Sequence, residues 1–227
     1  MMAEKQSGVI YEPVRIASWG DEARFVVPGV NYRGEKGTYA IFEKMTPPMT
    51  QDKLSEVYET EKARGNPVPA DMSLVWAIGE RGYDLRNENP ETSRQLSKLL
   101  KQGMRRFPNT MTRLHYSPKE SSAVHNVGTS DQYFIKGDII GPDGFIDKIQ
   151  DIDFLKSVLE RSDVEKVNRV SNWINGTRTY VSRENKKPKQ FEKRVARFGA
   201  GGDGLVLCCS GNFHYEYPAF RVLVQVE

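Results

Sequence analysis

The chain has 227 residues, 38% hydrophobic and 28% charged, with ten Phe, ten Tyr and three Trp. That length and aromatic content are enough to bury a core without disulfides or metals, and they exclude disorder throughout. The formal net charge of +3 is too small to name a partner by itself.

The only cysteines, Cys208 and Cys209, are adjacent. They offer neither a disulfide framework nor the spaced ligands of a zinc site, so they read as packing thiols. The opening MMAEKQSGVIYEP has no apolar core of a secretory signal, and no apolar run approaches ~18 residues. A cytoplasmic protein with no membrane span is expected.

In chain order, VIYEPVRIA, ARFVVPGVNY and TYAIFEKM predict three strands of a β-meander, with Pro28 marking an edge or a strand end. Thr50 caps a surface helix through about Arg64, with Asp52 in its first turn and Gly65 just beyond it. MSLVWAIG (72–79) is continuously apolar and predicts a buried strand. Asn89, Pro90 and Glu91 start a second helix. Its dry face holds Leu96, Leu99, Leu100, Met104 and Phe107, and its cationic face holds Arg94, Lys98, Lys101 and Arg105.

MTRLHY (111–116) and QYFIKGDII (132–140) predict strands. The polar, aperiodic 117–130 stretch between them predicts a loop. Two helical stripes follow between Asp151 and Asn175, the second with capping-box spacing from Ser162 to Glu165. TRTYVSR predicts a strand, ENKKPKQFEKRVARF reads as helix-like, and LVLCCS and AFRVLVQV predict strands that pair with each other. The sum is an α+β fold with mostly antiparallel sheets, about eight strands and three or four helices. We read residues 1–227 as one domain, with the 117–130 loop marking where two lobes would meet.

Charge alternates by segment. Residues 94–119 carry seven bases and no acid, and residues 178–197 carry eight bases against Glu184 and Glu192. Residues 131–165 carry four bases against nine acids. Several cations on one surface bind phosphates by releasing condensed counterions, and neighbouring aromatic rings add base stacking. Arg105, Arg106, Lys186, Lys187, Lys189, Lys193, Arg194 and Arg197 are therefore the candidate polyanion-binding residues, with Phe107, Phe191 and Phe198 as candidate rings.

GAGGDG (199–204) fits G-x-G-x-x-G, but a dinucleotide site needs a strand before it and a helix after it. Here LVLCC follows, so the loop is kept only as a source of backbone amides at Gly201 and Gly202. The leading expectation is a binding module whose basic face engages nucleic acid or another polyanion. One alternative is a metal-assisted hydrolase in which Asp131, Asp138 and Asp143 meet His125 in a cleft under the 117–130 loop. A second alternative is a structural or assembly protein without a catalytic site. The sequence names no cofactor and no oligomeric state.

Overall fold

The computed structural model describes residues 10–16, 20–126, 132–137, 139–146, 152–202 and 204–225. The fold is α+β, with twelve strands in two mostly antiparallel sheets and five helices among the described residues. The first sheet has five strands in the order β1 (Ile10–Ile16), β2 (Gly20–Tyr32), β3 (Glu35–Phe42), β12 (Arg221–Gln225) and β4 (Val68–Pro69). The second has seven, in the order β7 (Tyr133–Lys136), β6 (Ser122–His125), β5 (Asn109–Tyr116), β10 (Glu192–Ala200), β11 (Leu205–Gly211), β9 (Thr179–Ser182) and β8 (Gly144–Phe145). Only β9 and β11 pair in parallel among the described strands.

The helices are α1 (Gln51–Ala63), α2 (Met72–Asp84), α3 (Pro90–Met104), α4 (Ile152–Leu159) and α5 (Val164–Asn175). None of the described helices is long and apolar enough to cross a membrane. The caps of α1 and α3 are those expected, since Thr50 accepts from the Lys53 amide and Asn89 from the Thr92 amide. The cap of α5 is Asp163 rather than Ser162, with the Asp163 carboxylate accepting from the Lys166 amide. The predicted meander forms as β1–β2–β3. Within it Pro28 sits at a register shift between Val27 and Val30 rather than at a strand end. Gly29 next to it takes a φ of +71°, which glycine adopts freely.

Four expectations need correction. MSLVWAIG is not a strand but the first part of α2. It packs on β2 of one sheet, on β5 and β10 of the other, and on the three remaining core helices, α3, α4 and α5. A helix enclosed on every side is apolar all round, so no stripe distinguishes it from a buried strand. Trp76 of α2 stacks on Phe198 of β10, centroids 6.4 Å apart, at the centre of one core cluster that draws on both sheets.

Second, the 117–130 stretch contains β6, whose four residues are all buried. Third, the end of the lysine-rich run is β10, so the glycine segment joins two antiparallel strands. Fourth, the C-terminal strand pairs with β3 and β4 rather than with the LVLCCS strand. Backbone bonds tie the intervening segment to residues 46–51, namely Tyr217 with Met49, Phe213 with Gln51 and Ala219 with Thr46. These carry the chain from one sheet to the other.

Candidate polyanion-binding face

Alternation along the strands gives the seven-stranded sheet an inner and an outer face. Leu114, Tyr116, Ala123, Ala196 and Phe198 point inward and join the core. Their neighbours point outward, where the register sets Lys136 of β7, Ser122 of β6, His115 of β5 and Lys193 of β10 side by side. Further along, α1 covers this face. Met111 packs against Leu54 and Tyr58, and Arg113 bonds Ser55 (2.8 Å) and Asp52 (3.3 Å).

At the uncovered end lies a recess of about 340 Å³ lined by Lys119, Lys136 and Lys187, with Glu120 and Ser117. Glu120 pairs with Lys136 at 3.3 Å, leaving three ammonium groups against one carboxylate. Lys119 closes the first basic segment and Lys187 belongs to the second, so the two meet here. Lys193 extends the same surface along β10. The His115 imidazole is pushed below its usual pKa by burial, then by Lys193 and Arg113. Phe191 is 54% exposed, edge-on to His115 at 5.3 Å, with the Lys193 ammonium 5.9 Å from its ring.

The other predicted residues are distributed unevenly. Lys186 and Lys189 are exposed on the loop that carries Lys187. Arg194 faces the opposite way from Lys193 and is held by Glu192 (2.6 Å) and Glu184 (3.3 Å). Arg197 is half-buried under the Tyr217 ring, 4.7 Å from its centroid, with one guanidinium nitrogen 3.7 Å from Cys208 Sγ. Arg105 caps α3 and is exposed. Arg106 and Lys98 rim a separate groove of about 850 Å³ floored by Phe25, Met45, Leu99 and Phe220.

The end of α3 lies by Phe198 and Gly199, because the Phe198 amide donates to Pro108 and a Cβ on Gly199 would meet the Phe107 ring at 2.9 Å. Lys193 is six residues back from Gly199 along β10, roughly 20 Å at about 3.3 Å per residue. Arg105 and Arg106 therefore stand apart from the lysine recess. Gly201 and Gly202 are exposed at that same far end, and the Gly201 amide donates to the Gly204 carbonyl. Of the candidate rings, Phe107 and Phe191 are exposed, whereas Phe198 is fully buried.

No protein-family model, curated protein or solved structure matches this chain.

The histidine and acid constellation takes a different form from the one expected. His125 is fully buried. The Ser157 carbonyl can only accept, so His125 Nε2–H donates to it at 3.2 Å and Nδ1 of the neutral ring accepts from Thr112 Oγ1 at 2.7 Å, while Thr112 Oγ1 accepts from the Met72 amide. Asp143 accepts from the Arg183 amide at 2.7 Å. Asp131 and Asp138 lie outside the described residues. Among those described, no group of three or more His, Cys, Asp or Glu side chains stands ready to hold a metal. Cys209 is buried, which raises its thiol pKa as for a packing residue.

The sequence did not single out the polar cluster around His125. Asp71, the N-cap of α2, accepts from the Leu74 amide (2.7 Å), Ser73 Oγ (2.8 Å), Tyr32 Oη (2.5 Å) and Arg33 (3.4 Å). The one proton of Ser73 Oγ is shared between Asp71 and Glu160, whose carboxylate is 2.9 Å away and lies 3.5 Å from Arg33 and 3.8 Å from His125. Arg33 and Glu160 both hold positive φ, 55° and 56°, a conformation that non-glycine residues rarely adopt. The cluster ties the β2–β3 turn of one sheet to β5 and β6 of the other.

Burial holds the His125 pKa below its usual range, with Asp71 and Glu160 opposing and Arg33 reinforcing. The folded protein therefore keeps this ring neutral while the unfolded chain protonates near 6.5. On acidification the unfolded state binds the proton first. Stability is thus intact above about pH 6.5 and falls below it, by up to ~1.4 kcal/mol per pH unit from this group. We predict that urea midpoints at pH 7.5 and 5.5 differ more for the wild type than for His125→Gln. Equal differences would show that the ring is not the titrating group.

Proposed function

We propose that this chain is a binding module that engages a nucleic acid or another polyanion through the outer face of its seven-stranded sheet. The observation that carries the proposal is the recess shared by Lys119, Lys136 and Lys187, continuous with Lys193. Surface lysines near one another repel unless an anion lies between them, and here a single carboxylate faces the group. The depressed His115 pKa supports the same reading, because the cations Lys193 and Arg113 add to the effect of burial there. Lys186 and Lys189 lie on the same loop, within reach of a flexible polyanion. Counterion release then supplies affinity without sequence readout.

Chromatography on immobilised heparin and on an oligonucleotide resin tests this. The protein is expected to be retained at about 50 mM salt and to elute well before 1 M, since screening shortens to about 3 Å by then. Flow-through on both resins at low salt contradicts the proposal.

A further inference from the structure

The exposed rings beside the lysines narrow the class of polyanion. Phe191 is 54% exposed, yet its ring is held in place by His115 on one side and Lys193 on another. Phe134 of β7 is 49% exposed on the same outer face, one step along its strand from the pleat position of Lys136. Three interstrand spacings separate β7 from β10, and Phe134 is level with Val195, four residues along from Phe191, so the two positions lie on opposite sides of the Lys136–Ser122–His115–Lys193 row, roughly 19 Å apart. A sulfated or phosphorylated chain without bases gains nothing from such rings, and a duplex keeps its bases stacked on one another. A single strand offers both a phosphate backbone and free base faces.

We infer that the ligand is a single-stranded nucleic acid, with a base stacked on Phe191, a second near Phe134, and the intervening phosphates seated over the lysine recess. This inference rests on the polyanion reading above and adds to it the chemical identity of the ligand. The rings are exposed rather than core residues, so replacing them leaves the fold in place. The ammonium of Lys193 beside the Phe191 ring also places a phosphate contact next to a stacked base, which is the arrangement that sequence-tolerant single-strand binders need.

Fluorescence anisotropy at fixed low salt, with a labelled oligo-dT, the same length of duplex DNA, and unlabelled heparin as competitor, tests this on the full chain. The wild type is expected to bind the single strand at least tenfold more tightly than the duplex. Phe191→Leu is expected to lose about 5- to 150-fold for the single strand while its heparin competition is unchanged. Equal affinity for single strand and duplex, or an unchanged Phe191→Leu affinity, overturns the single-strand inference and leaves polyanion binding standing. Absence of binding to both labelled oligonucleotides, together with flow-through on immobilised heparin at low salt, overturns the polyanion reading itself. A matched urea midpoint for the variant confirms that any loss is local.

Discussion

Asp71→Ala is expected to destabilise the protein by roughly 3–5 kcal/mol, the range for stranding a buried charge partner. The Asp71 side chain is fully buried and accepts four hydrogen bonds, one of them capping α2, the helix at the centre of the core. Its removal uncaps that helix, leaves the Tyr32 hydroxyl without its acceptor and leaves Arg33 facing Glu160 alone. The Tyr32 phenol is held well above its usual pKa, first by burial and then by the Asp71 charge, so it stays a donor. Asp71→Asn keeps the cap acceptor and the shape but loses the charge, and a smaller loss of about 1–3 kcal/mol is expected. Guanidinium unfolding of the two variants measures both. A loss under 1 kcal/mol for the alanine variant would mean that the network does not tie the sheets together.

Replacing Lys119, Lys136, Lys187 and Lys193 together by glutamine is expected to weaken oligonucleotide binding by about 100-fold or more at low salt, because these groups supply the counterion-release term. The four side chains are exposed, so stability is expected to move by no more than about 0.5 kcal/mol each. Arg194→Gln serves as the contrasting case. Its guanidinium is already committed to Glu184 and Glu192, so its loss is expected to leave affinity nearly unchanged. Arg105→Gln with Arg106→Gln is likewise expected to have little effect, since α3 ends at the far end of β10. Equal losses from the lysine and arginine sets would argue for a diffuse field rather than a face.

The elements with local signals were legible in the sequence. Thr50 and Asn89 capped the helices they appeared to cap, and the first three strands alternated as a meander. What failed was set by long-range packing. The apolarity of Met72–Gly79 comes from neighbours on every side, and Asp71 as a cap was the one local sign of a helix there. The C-terminal strand chose its sheet through hydrogen bonds between residues 213–219 and 46–51, a separation no window captures.

The proposed basic face was legible in part. Lys187 and Lys193 stand out by charge density, and the structure sets Lys187 in one recess with Lys119 of the other basic segment. Lys136 was missed because it lies in an acid-rich segment, where averaging hides a lone cation that the register of β7 turns toward the lysines. Arg194 was counted because charge density ignores the alternation that points it away from Lys193, toward two carboxylates. The His125 cluster was invisible because Arg33, Asp71, Thr112 and Glu160 are far apart in the chain.

The most direct test of a phosphate-binding face is the salt dependence of affinity for a single-stranded oligonucleotide. Four lysine–phosphate contacts predict that log K falls with log salt at a slope of about −3. That slope should shrink toward zero in the four-lysine variant. A slope near zero in the wild type, or one that the variant leaves intact, would contradict binding through this surface.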